Sequence, residues 1–171
     1  MAGYSFAAVP SQADETIAPG TPPYDAVKEL SRRKAQSVAQ LYPDDVVIGS
    51  DTVVEIDGGI LGKPKDKTDA CRMLSLLSGR THRVYTGVCV IGGGRADTQA
   101  DCTSVTFYEL SEKEIMDYVN SGEPMDKAGS YGIQGRGALF VKKIDGDFYS
   151  VMGLPVSRLN RMLQALGGMM E

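Results

Sequence analysis

Asp51 and Lys63 are the residues whose types and spacing are best suited to chemistry. The run Gly49-Ser50-Asp51-Thr52-Val53-Val54 places a carboxylate at the end of an apolar strand. Gly62-Lys63-Pro64 brings an ammonium back twelve residues later, beyond a tight turn. A carboxylate and an ammonium on neighbouring strand ends can bind a metal–phosphate group and attack it. They can equally form a plain surface ion pair. A second polar stretch, Asp126-Lys127-Ala128-Gly129-Ser130-Tyr131-Gly132-Ile133-Gln134-Gly135, holds too many glycines for a core element and marks a second candidate loop.

The elements that must position these groups alternate between helix and strand signals. Residues 25–41 put Val27, Leu30, Val38 and Leu41 on one helical stripe, and Lys34 falls on the same stripe. A lysine on the inward face must snorkel or meet an anion. Val46-Val47-Ile48 is a short apolar run of the kind buried on both faces of a sheet. Asp57-Gly58-Gly59 is a hairpin turn between Val53-Val54-Glu55-Ile56 and Ile60-Leu61. Ala70, Met73, Leu74 and Leu77 mark a helix ended by Gly79. Residues 82–91 and 102–110 read as strands, separated by a Gly92-Gly93-Gly94 loop that lacks the following helix of a phosphate cradle. Ser111-x-x-Glu114 is a capping box opening a helix through Val119. Strand patterns follow near 138–144 and 147–152, then a helix from Pro155 carrying Leu159, Leu163 and Leu166. The tail from Gly167 to Glu171 is expected to fray. The sum predicts an α/β fold with a mixed sheet between helices.

Composition narrows the function classes. A chain of 171 residues, 42% hydrophobic and 23% charged, fits one globular domain with a sizeable core. The net charge is −4, and the scattered lysines and arginines form no clustered basic face for nucleic acid. No run approaches the ~20 apolar residues of a membrane span, and the N-terminus does not read as a signal peptide, so a cytoplasmic protein is expected. Cys71, Cys89 and Cys102 form no C-x-x-C and are odd in number, which suits a reducing compartment and core packing. With one histidine, His82, a zinc site is disfavoured, and that residue reads as structural rather than as a base. Any metal should be a hard divalent cation held by carboxylates, magnesium or manganese.

Six runs, in order, carry a resemblance: Gly49–Val54, Gly62-Lys63-Pro64, Leu77–Gly87, Asp126-Lys127-Ala128-Gly129, Tyr131-Gly132-Ile133-Gln134-Gly135 and Gly153-Leu154-Pro155. Together they resemble the Maf family of nucleoside triphosphate pyrophosphatases, and the Tyr131–Gly135 run resembles the branch acting on dTTP and UTP. The resemblance implies a layered α/β fold like that of inosine triphosphate pyrophosphatases, with a cleft between two lobes. It implies hydrolysis of the α–β phosphoanhydride of a nucleoside triphosphate to the monophosphate and pyrophosphate. Asp51 would be the metal-binding or general-base carboxylate, and Glu15 a second acidic group at the substrate and metal. Lys34 and Lys63 would neutralise phosphate charge, and Gln134 would contact the nucleotide. Arg80, Asp126 and Lys127 are further substrate-binding candidates. Each has an alternative in the fold: Lys127 can pair with Asp126, and Gln134 can tie down its glycine-rich loop. A homodimer is compatible with the family, although no periodic apolar surface marks an interface.

The chain departs from the family at its start. Family members begin with an apolar strand, a Ser-x-Ser-Pro-Arg-Arg loop and a helix before reaching a segment like Gly3-Tyr4-Ser5-Phe6. Ser31-Arg32-Arg33 is no substitute, because it lies in the helix that presents Lys34. The absent loop would supply arginine forks, whose bidentate geometry lysine does not reproduce, and the absent strand would be central in the sheet. Three readings compete: an internal methionine of a longer protein at Met1, a degenerate homologue, or completion by another subunit. Retention of Asp51, Lys63 and Gln134 together favours the first. A non-catalytic nucleotide-binding or cell-division regulatory protein is the alternative to an active enzyme.

Overall fold

The computed structural model describes residues 3–167. An N-terminal segment, largely without regular structure, leads into helix α1 (Pro23–Ala39). Strand β1 (Val47–Ile56) turns into the short β2 (Gly59–Leu61), and α2 (Lys67–Leu77) follows. The long strands β3 (Thr81–Gly92) and β4 (Arg95–Phe107) precede α3 (Glu112–Asn120). Three 3-10 turns, at Glu123–Asp126, Ala128–Ser130 and Gly135–Phe140, lead to β5 (Val141–Asp145), α4 (Phe148–Val151) and α5 (Val156–Gly167). Met1, Ala2 and residues 168–171, most of the tail expected to fray, lie outside the described residues.

The strands form one sheet in the order β2-β1-β3-β4-β5. The α/β class holds, but the expected mixed pairing does not: every pairing among the described strands is antiparallel. The reason is topological. The β2–α2–β3 segment is a crossover between strands running the same way, but β1 lies between them and is antiparallel to both.

Helix α1 covers one face of the sheet, where Val27 packs with Val53 and Ala100, and Ala35 with Val47 and Cys89. The opposite face carries the larger core: Val54, Ile56, Val84, Val105 and Phe107 against α2 and α3. Val88 and Val90 pack there against Leu159 and Met162 of α5. Two glycines set how closely α1 approaches. A Cβ on Gly87 would stand 2.1 Å from the Val27 carbonyl oxygen, and one on Gly49 would stand 2.5 Å from that of Ser31. The helix backbone therefore rests directly on β1 and β3.

Several sequence-based boundaries move. The apolar run 46–48 and the segment 53–56 are one continuous strand, and Asp51 lies in its middle rather than at its end. Val46 and Ile48 are exposed while Val47 is buried, so this end of the strand alternates, and the sheet is covered on both faces only further along, at residues 53–56. Leu41 lies beyond the end of α1 and is exposed. Strand β4 starts at Arg95, seven residues before its apolar signal, because the Gly93-Gly94 turn pairs Gly92 with Arg95 and fixes the register. The expected strand at 147–152 is the short helix α4. There the Asp147 carboxylate accepts the Tyr149 N–H at 2.8 Å, and this cap overrides the β-like alternation of the segment.

His82 is a structural residue, buried against Phe107 and Tyr131, with Nε2 2.8 Å from the Tyr131 hydroxyl. Burial lowers its pKa to about 4. A histidine whose folded-state pKa is depressed adds stability above its unfolded value of about 6.5, and that stability is lost as pH falls towards the folded value. Stability should therefore drop by about 3 kcal/mol between pH 6.5 and 4 on account of this residue alone. Urea unfolding across that range should show the drop in the wild-type chain and a shallower dependence in His82→Gln.

Candidate active site

Strand β1 forms the floor of a cleft of about 660 Å³. One wall is made by α1 and the N-terminal segment, through Glu15, Ile17, Leu30 and Lys34. The other is made by Gly62 and Lys63, by residues between Asp126 and Gln134, and by Val151-Met152-Gly153. The architecture thus brings together Asp51, Lys34, Lys63, Gln134, Glu15, Asp126 and Lys127. Arg80 does not join them. Its guanidinium donates to Asp57 Oδ1 at 2.6 Å and lies near the Leu76 carbonyl, clipping the β1–β2 turn to the end of α2. The structure thus holds Arg80, a substrate-binding candidate from the sequence, at the Asp57 turn and outside the lining of the cleft.

At the centre of the cleft, the Lys34 ammonium bridges two carboxylates. It donates to Asp51 Oδ1 and lies 2.9 Å from Glu15 Oε1. This answers the choice posed by a lysine on the buried stripe of α1: it meets anions rather than snorkelling. The sequence suggested Lys63 as the partner of Asp51, but Lys63 makes no ion pair among the described residues. It remains close enough for its charge to act on Asp51, Glu15 and Asp126.

Burial dominates at Asp51 and raises its pKa, against the opposing pull of Lys34. Burial also opposes the charge on Lys34, but the hydrogen bonds and charges of Asp51 and Glu15 outweigh it and leave that pKa raised. The hydrogen bond from Lys34 holds Glu15 below the ordinary value. Asp51 Oδ2 has no hydrogen-bond partner among the described residues. A carboxylate that binds protons more readily than usual, with one oxygen free, can accept a proton from water.

The supporting groups were not legible from the motifs. Arg33 donates to the carbonyls of Asp14 and Thr16, at 3.2 and 2.8 Å, and so pins the extended segment on either side of Glu15. Ser50 Oγ lies 2.6 Å from the Gly153 carbonyl, and Thr86 donates to the Ser150 carbonyl at 2.7 Å while lying 2.8 Å from Thr52. These bonds lash the Val151–Gly153 wall to the floor. On the facing loop, the Gly129 N–H donates to the Gly62 carbonyl at 3.0 Å. Gly129 has φ +67° and packs so tightly on Val54 that a Cβ would stand 2.8 Å from its side chain. Lys127 pairs with Asp126 at 2.6 Å and donates to the Glu123 carbonyl at 3.0 Å. Gln134 makes no side-chain hydrogen bond among the described residues, so its amide does not tie down the loop.

Three lysines and three carboxylates thus face one cleft on an α/β sheet, the setting of a small-molecule site. The chain belongs to the family described as Maf-like protein, whose profile it matches over residues 1–166. It is 51% identical over 167 residues to the dTTP/UTP pyrophosphatase of Bacillus pumilus, covering 98% of this chain and 88% of that protein. It is 51% identical to the dTTP/UTP pyrophosphatase of Bacillus anthracis and 50% identical to that of Bacillus cytotoxicus. Each of these matches runs over 164 residues, 96% of this chain and 86% of the relative. No helix among the described residues is long and apolar enough to cross a membrane.

Proposed function

We propose that this chain hydrolyses dTTP and UTP to the monophosphate and pyrophosphate. The observation that carries the reading is the Asp51–Lys34–Glu15 cluster, with Lys63, which makes no ion pair among the described residues, in the same cleft. The names of the relatives supply the substrate class.

The proposed chemistry follows from the cluster. A water oxygen bonds to phosphorus, the α–β bridge breaks, and pyrophosphate leaves. Asp51, oriented by Lys34, takes the proton that the water loses. Negative charge gathers on the phosphate oxygens as the bond breaks, and Lys63 and Lys34 stabilise it inside a partly water-excluded cleft. Gln134 reads the pyrimidine edge, since its amide both donates and accepts.

The residues present fit a divalent cation. Asp51 and Glu15 already converge on one positive charge, and one or two carboxylates completed by substrate phosphates is the way magnesium is usually bound. Among the described residues no three carboxylate, histidine or cysteine side chains form a dedicated cage. A bound magnesium or manganese ion would be held by Asp51 and Glu15 with the substrate's phosphates, and would neutralise charge developing there.

The test is pyrophosphate release by the folded chain from the common nucleoside triphosphates, with magnesium or manganese. Turnover of dTTP and UTP ahead of purine nucleotides is expected. Calorimetric nucleotide binding without turnover would instead favour a regulatory nucleotide-binding protein.

A further inference from the structure

Outside the cleft, a single carboxylate organises the loop that carries Gln134. Glu123 opens the first 3-10 turn, and neither it nor Tyr118 lines the cleft. Glu123 Oε2 accepts the Arg136 N–H at 3.2 Å, and Oε1 accepts the Gly137 N–H at 3.3 Å. The Tyr118 hydroxyl donates to Oε1 at 3.1 Å and accepts the Gly132 N–H at 3.2 Å. Both ends of the segment from Gly132 to Gly137 are therefore fastened to one carboxylate–phenol pair.

The packing is as close as the hydrogen bonding. Gly135 has φ +72°, and a Cβ on it would stand 2.8 Å from Glu123 Oε1, so the loop lies flat against the carboxylate. Lys127 holds the Glu123 carbonyl at 3.0 Å, and its stem would meet a Cβ on Gly132 at 2.9 Å. Burial favours a protonated Glu123, but the two amides and the hydroxyl outweigh it and hold its pKa below the ordinary value. An ionised carboxylate accepts all three bonds at once.

We infer that Glu123 is a positioning residue for base selection: with Tyr118 it fixes where the backbone and side chain of Ile133-Gln134-Gly135 stand in the cleft. The inference rests on the pyrimidine nucleotide reading above. The Gln134 amide can rotate to offer donor or acceptor, so by itself it suits the edges of both thymine and cytosine. The backbone groups around it cannot rotate, and their placement depends on the Glu123 anchor. Discrimination between dTTP and dCTP therefore depends on a residue that touches neither.

The experiment measures pyrophosphate release from dTTP, UTP and dCTP by the wild-type chain and by Glu123→Ala, Glu123→Gln and Tyr118→Phe, alongside hydrogen exchange of the 131–137 segment. Losing hydrogen bonds to a charged acceptor should raise the KM for dTTP about tenfold in Glu123→Ala. Its kcat should stay within about threefold, the preference for dTTP over dCTP should fall about tenfold, and exchange in 131–137 should speed up. Glu123→Gln, which keeps an acceptor oxygen, should recover most of the preference. Tyr118→Phe should lose part of it, through the Gly132 N–H and the bond to Glu123 Oε1 that the hydroxyl makes, and it tests the inference even where Glu123→Ala does not fold. A folded Glu123→Ala with wild-type KM and base preference overturns the inference, as does faster exchange without any change in preference. A fall in kcat with KM unchanged would also overturn it. A wild-type chain that turns over all bases alike sinks the inference and leaves the pyrophosphatase reading standing. A wild-type chain that neither binds nor hydrolyses nucleotides sinks both.

Discussion

Replacing Asp51 by asparagine is expected to lower pyrophosphate release from dTTP by a factor of about 10³ without loss of thermal stability. The substitution keeps the shape and removes the proton acceptor. Stability should survive because burial raises the pKa of Asp51, so ionisation costs stability as pH rises through its folded-state value. A neutral amide escapes that cost, and Lys34 keeps Glu15 as a partner at 2.9 Å. The melting temperature of Asp51→Asn at pH 7 should match or exceed that of the wild type. The raised pKa also sets the sign of the pH dependence: wild-type activity should fall as pH drops, beginning above the ordinary carboxylate range. Near wild-type turnover by Asp51→Asn would remove this residue from the chemistry. A large drop in melting temperature would assign it to the fold.

The second large effect lies out of the substrate's reach. Gly87→Ala should destabilise the protein by about 3 kcal/mol or more, because the new methyl group would collide with the backbone carbonyl of Val27. Backbone cannot swing aside as a flexible side chain can, so α1 must lift from the sheet. Gly87 pairs with Asp51 across β1 and β3, and the lifted helix is the one that carries Lys34. The melting temperature should fall by about 10 °C, and the surviving folded protein should show weakened catalysis as the Lys34–Asp51 contact opens. Gly59→Ala, at an exposed site whose Cβ would meet its nearest neighbour at an ordinary 3.5 Å, is the control and should change stability by no more than about 0.5 kcal/mol. A Gly87→Ala protein with wild-type melting would show that the helix–sheet contact is not tight.

Local signals that satisfied themselves locally were legible in the sequence. The Ser111–Glu114 capping box, the Asp57-Gly58 turn and the apolar stripe of α2 appear where the residues place them, because each is settled within a few residues of chain. The family runs were legible for a related reason: Asp126, Lys127 and Gln134 sit in a glycine-rich stretch whose composition suits no core element, and Asp51 and Lys63 sit in short runs on either side of a tight turn. Lys34 was visible as a lysine on an inward stripe, an inconsistency that snorkelling or an anion resolves, and only the fold shows that it is an anion. Arg80 shows the limit of such reading, since its run is continuous in sequence with the motif but its side chain points to the Asp57 turn.

By itself the sequence determined the α/β class, helices α1, α2, α3 and α5, the family and the chemical inventory of the cleft. Only the tertiary structure decided which charges meet. Lys34 rather than Lys63 is bonded to Asp51, because Gly49 and Gly87 let α1 rest on the sheet and bring the lysine down onto β1. Tertiary contacts also decided that every strand pairing is antiparallel, that 148–151 is helical, and that Glu123 and Tyr118 hold the loop of Gln134. The physical reason is common to all of these. Propensity and patterning act over a few residues, whereas an ion pair, a strand neighbour or a hydrogen-bond anchor depends on distances between segments, which exist only once the chain has folded.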